Sequence, residues 1–305
     1  MATVMTNPPT VIGLGEILWD LLPSGRQLGG APANFAYCSH LLGDRAIVAS
    51  RIGRDQLGED IRESLRRAGI GDLALQYDSS QSTGTVRVQI DASRQPKFEI
   101  TEPAAWDFLE WTDDWQGLAK SADAVCFGSL AQRSTISRST ILEFLAATRA
   151  DALRIFDVNL RQSFYSAEII CESLRRANTV KLNHEEVPRV KELLNMNAAG
   201  DVSFCRNLMA RFELKLVCIT RGANGSLLCD LHGVHEHPGF RVKVKDTIGA
   251  GDAFTAALVH EYLRDRGLAE MNEAANRMGA WVASHSGAMP QGPAPGIDRA
   301  LEDVG

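Results

Sequence analysis

The stretch DTIGAGDAFTAALVHEYL, residues 246–263, decides how the chain reads. Two glycines, Gly249 and Gly251, flank Ala250 and lead directly into residues 253–263, a run apolar nearly all round that reads as a buried helix. Outward from it, short β-branched or apolar runs recur at 10–15, 46–50, 123–128, 153–158, 179–182, 215–220 and 226–231, most of them buried strands. Helix-length stretches at 31–42, 56–68, 134–149, 166–176 and 201–212 lie between them. Strand alternating with helix predicts an α/β chain, a mostly parallel sheet with helices on both faces. One segment breaks the rhythm. TVRVQIDASRQPKFEIT (85–101) alternates around a turn-like DASRQP with Val86, Val88, Ile90, Phe98 and Ile100 on one face, an antiparallel hairpin that reads as a lid or as a plain edge hairpin.

The 305 residues carry 32 Lys+Arg against 38 Asp+Glu, a net charge of −6, which argues against a nucleic-acid partner. Hydrophobic residues at 45% and charged residues at 23% are ordinary globular usage, enough for a sizeable core. No apolar run approaches the roughly 20 residues of a membrane span, and the N-terminus lacks the pattern of a secretory signal, so a cytoplasmic protein without membrane contact is expected. The six scattered cysteines read as reduced core residues.

The glycines of GAGD let a ligand approach the backbone, and the first N–H groups of the helix have no intrahelical partner, so its start is an anion site. No Lys follows as in a Walker A loop, which leaves backbone N–H groups to hold phosphate. Asp252 sits at the same helix start. It reads either as an N-cap or as a carboxylate with an acceptor hydroxyl between it and a transferring phosphoryl group. Ligands of open α/β sheets bind beyond the carboxyl ends of strands. Polar residues gather there at Gly128-Ser129, at Asp157, Asn159 and Arg161, at Lys181, Asn183 and Glu186, and at Thr220, Arg221 and Gly222.

GAGDAF (249–254) resembles the C-terminal signature of the ribokinase-like (PfkB) carbohydrate kinases, and GGAPANFA (29–36), continuing through LGDRAIVASRIGRDQLGEDI, resembles their N-terminal signature. The resemblance covers nearly the whole chain. It implies one ribokinase-like domain over 1–305, a Rossmann-like sheet with a β lid from about 16–30 and 82–105, ATP as phosphoryl donor, Mg²⁺, and a sugar as acceptor. Asp252 resembles the family's catalytic base, with Gly249, Ala250 and Gly251 as its anion hole and Arg161 beside the phosphoryl path.

By the same resemblance Asp20, Gly30, Asn34 and Asn159 would meet the sugar, with Phe98 as an apolar wall. Asn183, Thr220, Gly222 and Asn276 would meet the nucleotide. Asn183 and Glu186 form the family's N-x-x-E, which organises Mg²⁺ and its waters; on spacing alone they read equally as a capping box. Asp246, Ile248 and Gly287 match positions that bind K⁺ in many relatives. Arg161 as a surface residue, Asp20 as a local cap and Phe98 as plain packing are the bland alternatives.

GLGEIL (13–18) begins like a dinucleotide fingerprint but has Leu18 at its last position, which counts against hydride chemistry. His232, His235 and His237 read as a turn and alternate residues of a solvent-facing strand before they read as a zinc site. GEILWDLLPSG, LGGAPANFA and PAAWDFL (103–109) look most like the fructokinase branch, which implies D-fructose as acceptor and fructose 6-phosphate as product. Ribose, 2-keto-3-deoxygluconate and nucleosides are the rival acceptors, and a catalytically silent sugar- or nucleotide-binding regulator is the non-enzyme rival. Unpaired edges of the lid strands offer a route to a homodimer.

Overall fold

The computed structural model describes residues 7–22, 25–90 and 96–292, with the side chains of 88–98 outside the described part. The strands are β1 (Thr10–Leu14), β2 (Leu18–Leu22), β3 (Gly25–Gly29), β4 (Arg45–Gly53), β5 (Leu75–Asp78), β6 (Gly84–Ile90), β7 (Pro96–Ile100), β8 (Ala124–Phe127), β9 (Leu153–Asp157), β10 (Thr179–Asn183), β11 (Leu216–Thr220), β12 (Ser226–Asp230) and β13 (Val234–His237). The helices are α1 (Ala31–Leu41), α2 (Gln56–Arg67), α3 (Asp113–Ser121), α4 (Thr135–Ala147), α5 (Ala167–Arg176), α6 (Glu186–Leu193), α7 (Gly200–Phe212), α8 (Ala250–Tyr262) and α9 (Leu268–Ala283).

The main sheet has the order β13-β12-β11-β10-β9-β8-β1-β4-β5. From β11 through β5 every pairing is parallel, whereas β12 and β13 are antiparallel. The reversal has a simple cause. Only residues 221–225 separate β11 from β12, far fewer than the dozen or so that a parallel crossover needs.

Side chains alternate between two apolar layers, as a period of two requires. Ile12, Phe127 and Phe156 pack with Phe144, Ile170 and Phe204 of α4, α5 and α7. Their neighbours Val11, Cys126 and Ile155 pack on the other face with Phe35, Ile61 and Ala253 of α1, α2 and α8. Residues 253–261 of α8 are all buried, since the helix lies between the sheet and α1 and α9. Each large side chain so buried contributes about 1.5–3 kcal/mol. The six cysteines are free, five of them buried. No helix among the described residues is long and apolar enough to cross a membrane.

The expected hairpin is present and is half of a larger element. β6 and β7 pair antiparallel with Val88 opposite Phe98, and β2 and β3 extend them to a four-stranded sheet of order β3-β2-β6-β7. Val86 is buried, Arg87 and Glu99 are exposed, and the Phe98 side chain and the 91–95 turn lie outside the described residues. Two polar clamps fix the base of this sheet. Asp55 caps α2 at Gly58 N (2.8 Å) and also receives the N–H and hydroxyl of Thr83 (2.8 and 2.7 Å), just before β6. After β7, Arg133 donates to the Thr101 carbonyl (2.7 Å) and to Asp107 while stacking on Trp106 and Phe164.

β13 corrects one expectation. His235 and His237 do not face solvent; they contact α9, where Asn272 Nδ2 lies 3.1 Å from His235 Nδ1 and Glu273 2.7 Å from His237 Nε2.

Two glycine substitutions test the packing. A Cβ on Gly13 would land on the Pro32 carbonyl of α1, whereas one on Gly117 in α3 meets nothing within 4 Å. Gly13→Ala should cost about 3 kcal/mol in urea unfolding, and Gly117→Ala should stabilise by roughly 0.5–1 kcal/mol.

Candidate active site

Parallel strands deliver their carboxyl ends to one edge of the sheet, and β1 stands there between β8 and β4, where the strand order reverses. The first turns of α1 and α8 arrive at the same edge and meet: Asn34 Nδ2 donates to Asp252 Oδ2 at 2.8 Å. Both helices begin at a glycine that makes no side-chain cap, Gly30 with φ 103° and Gly249 with φ 77°. These are backbone conformations that glycine adopts without strain. A Cβ on Gly30 would also lie 2.6 Å from the Glu16 carbonyl oxygen.

At the start of α8, Ala250 N donates to Thr247 O and Ala253 N to Gly249 O. The N–H groups of Gly251 and Asp252 between them have no acceptor among the described residues. Two free donors at the positive end of a buried helix suit a phosphate. Asp252 lies half-buried beside them. Burial, and after it the nearby Asp157 charge, push its carboxyl up to about 6, against the pull of Lys181, the Asn34 hydrogen bond and Arg161. That is a carboxylate ionised at neutral pH yet basic enough to take a proton.

Beneath the helix start, Lys181 Nζ lies 3.0 and 3.1 Å from the two oxygens of Asp157, and both side chains are buried. Thr255 Oγ1 is 3.0 Å from Asp157 Oδ2 and 3.0 Å from the Gly251 carbonyl, which ties the pair to α8. A Cβ on Gly251 would lie 3.0 Å from Lys181 Nζ. Burial alone would lower the Lys181 ammonium, but the Asp157, Glu186 and Asp252 charges outweigh it and hold the proton on.

The remaining candidates fall into three groups. On the β1 side, burial pushes Asp20 of β2 up to about 6, with the Arg161 charge lowering and the Asp246 charge raising it. Arg161 is exposed, bonds only the Leu160 carbonyl (3.4 Å) among the described residues, and its charge reaches Glu16, Asp20 and Asp252. Asn159, in the left-handed region at φ 43°, turns the chain before it.

On the β10 and β11 side, Asn183 Oδ1 accepts the N–H groups of Glu185 and Glu186 (3.0 and 2.9 Å), and Glu186 Oε2 accepts the Asn183 N–H (2.8 Å). This is the capping box that spacing alone allowed. Glu186 Oε1 also takes the Leu160 N–H at 2.8 Å, so Glu186 fastens the segment that carries Arg161. With both oxygens bonded and the residue buried, Glu186 fits Mg²⁺ through its waters and not as a direct ligand. Thr220 accepts His184 N–H on its carbonyl, and Gly222 (φ 56°) turns into open space. Asn276 is buried, its Nδ2 given to Ser226 Oγ (2.7 Å) and Asn272. In the third group Asp246 takes the N–H groups of Ile248 (3.0 Å) and Gly287 (3.1 Å), which brings the three K⁺ candidates together.

Residues 25–295 match the profile described as pfkB family carbohydrate kinase. The chain belongs to that family. The kinase is 30% identical over 301 residues to a fructokinase of Escherichia coli, covering 90% of this chain and 94% of that one. It is 33% identical over 259 residues to a fructokinase of Klebsiella pneumoniae, covering 81% and 82%. Its fold is ribokinase-like: it superposes on an ATP complex of a sugar kinase from Pyrococcus horikoshii with a TM-score of 0.78 at 28% identity, over 92% and 93% of the two chains. A Vibrio cholerae fructokinase structure with fructose, ADP and potassium bound gives 0.78 at 25% identity, over 92% and 94%.

Sequence reasoning named Asp157 and Lys181 as strand-end polar residues without a role and passed over Glu16. The signal for Glu16 was a charged residue between two apolar runs in GLGEILWDLL. For the kinase, Asp252→Asn should keep the fold, because the amide oxygen still accepts from Asn34. It should lower kcat by roughly 10²–10⁴ in steady-state assay; a loss below about threefold removes Asp252 from the role of base.

Proposed function

We propose that the kinase transfers the γ-phosphoryl group of ATP to the primary hydroxyl of D-fructose, giving fructose 6-phosphate and ADP. The observation that carries this reading is the junction of Asp252 with the open N–H groups of α8. A hydroxyl between them has a proton acceptor on one side and an anion site on the other. The hydroxyl proton passes to the Asp252 carboxylate, the oxygen bonds to the γ-phosphorus, and the bond to the β-phosphate oxygen breaks with its electrons leaving on ADP. Positioning dominates such a step, since the transition state is loose. The open N–H groups of Gly251 and Asp252, with the Arg161 charge near Asp252, receive charge as it moves; the Ala250 N–H expected to join them is engaged by the Thr247 carbonyl.

The acceptor end favours a neutral sugar. Asp20, Asp246 and Asp252 weigh there against Arg161 and a Lys181 already paired with Asp157, so the carboxylate of 2-keto-3-deoxygluconate would meet net negative charge. Asp20, Gly30, Asn34 and Asn159 are assigned to the sugar hydroxyls, with Phe98 and the small sheet closing over them. The nucleotide is assigned to the edge formed by Thr220 and Gly222, where Asn183 and Asn276 contribute shape, their amides being engaged internally. Mg²⁺, held through water near Glu186, would neutralise phosphate charge, and K⁺ is assigned to the loop of Asp246, Ile248 and Gly287. The fructokinases of similar sequence support fructose over ribose and nucleosides.

A coupled ADP-release assay across these sugars tests the reading, with calorimetry on Asp20→Ala. Fructose should give the highest kcat/KM, and Asp20→Ala should weaken sugar binding by roughly 1–3 kcal/mol while leaving ATP binding nearly unchanged. Sugar binding without ADP release would favour the silent regulator, and equal losses for both ligands would return Asp20 to a structural role.

A further inference from the structure

Gln27 of β3 stands directly opposite Asp20 in the antiparallel β2–β3 ladder, so the two side chains share one face of the small sheet. Gly29, two residues on and therefore on the same face, has no room for a Cβ because the Asp20 carboxylate fills that place. The Gln27 amide lies against Gly287, where a Cβ would stand 3.0 Å from Gln27 Oε1, 3.4 Å from its Cδ and 3.7 Å from its Nε2. The next residue, Ala288, packs on Gly249, the glycine that begins α8. Gln27 therefore reaches from the small sheet to the loop beside the anion site. A Gln on an edge strand ordinarily gives its amide to water. Here the residue is half-buried against backbone, and neither polar atom of its amide has a hydrogen-bond partner among the described residues. The Gly287 N–H does not serve it, being given to Asp246 Oδ2 at 3.1 Å. The amide is thus seated by contact alone, with two donor hydrogens and an acceptor oxygen left to offer.

We propose that Gln27 is a specificity-determining residue for the acceptor, its amide holding the hydroxyl next to the one that Asp20 holds. An ionised carboxylate only accepts, whereas an amide both donates and accepts, so the pair matches two hydroxyls on neighbouring carbons. One hydroxyl donates to Asp20; the other accepts from Gln27 Nε2 and donates to its Oε1. A sugar that lacks the second hydroxyl leaves the amide facing carbon, and a site built to bond a hydroxyl rejects an analogue without it. Gly287 keeps the amide in place, since any side chain there would displace it. The proposal deepens the sugar-kinase reading and rests on Asp20 meeting the sugar.

The test is a cycle of two enzymes and two sugars, read as Kd in calorimetry, which needs no turnover, and as KM and kcat. Gln27→Met keeps the length of the side chain and removes both polar atoms; Gln27→Ala is the second variant, which leaves the space open. The sugars are D-fructose and its 1-deoxy, 3-deoxy and 4-deoxy forms. Both variants should bind fructose about tenfold more weakly than wild type, with kcat within about twofold and ATP binding unchanged. Wild type should lose about tenfold on one deoxy sugar, and the variants should lose almost nothing further on that same sugar, because the bond is already gone. The unliganded variants should keep Tm within about 2 °C of wild type, no internal hydrogen bond having been removed. A structural role cannot produce coupling to a single hydroxyl. Fructose binding within twofold of wild type in both variants, or losses that multiply on all three deoxy sugars, overturns the proposal. If another panel sugar is the better acceptor, the fructose reading alone falls and the cycle is run on that sugar's deoxy forms. If no sugar on the panel binds, both readings fall together.

Discussion

Lys181 is the buried cation on which the crevice depends. It bonds both oxygens of Asp157 and lies within reach of the Glu186 and Asp252 charges, so three carboxylates share one ammonium below the first turn of α8. An isolated buried ion pair is poor evidence of stability, because desolvation offsets most of its attraction. Its effect here is local. It lets Asp252 be ionised next to Asp157 at neutral pH, and Thr255 carries the same network to the Gly251 carbonyl, fixing the helix start whose N–H groups stay open. A carboxylate beside an anion site is self-repelling unless a cation stands behind it.

The two helix starts explain why the glycines at the edge cannot be replaced freely. Gly30 and Gly249 let α1 and α8 begin without a side chain at the cap, which allows Asn34 and Asp252 to meet across the crevice. The small sheet stands over that junction on two polar clamps, Asp55 with Thr83 and Arg133 with Thr101. Both clamps use buried or half-buried charge at the exits of the lid, so the lid is tied at its base, and closure would have to come from bending within its strands.

Much of this was legible in the sequence because local pattern and tertiary role agreed. The runs at 10–15, 153–158 and 215–220 are strands since each alternates between two apolar layers, and GAGDAF is a loop and buried helix since only glycine suits its φ. What escaped depended on long-range contacts. LWDLL and GRQLG carry no hairpin signal of their own, so the lid over 16–30 was expected from the family resemblance alone; they are strands through pairing with each other and with β6. Glu186 could be read as metal organiser or helix cap, and the structure places it in the cap and on Leu160 N–H as well, a contact 26 residues away. Lys181 looked like one polar residue among several at strand ends, because its partner Asp157 is 24 residues distant in sequence.

The central claim is that Lys181 keeps Asp252 ionised at neutral pH against its burial and the Asp157 charge. A carbon-13 titration of aspartate carboxyls, with Asp252 assigned by difference from Asp252→Asn, measures it directly in wild type and in Lys181→Met. The account predicts a midpoint near about 6 in wild type, shifted upward when the ammonium is removed. A midpoint in the ordinary aspartate range that does not move in Lys181→Met would contradict it.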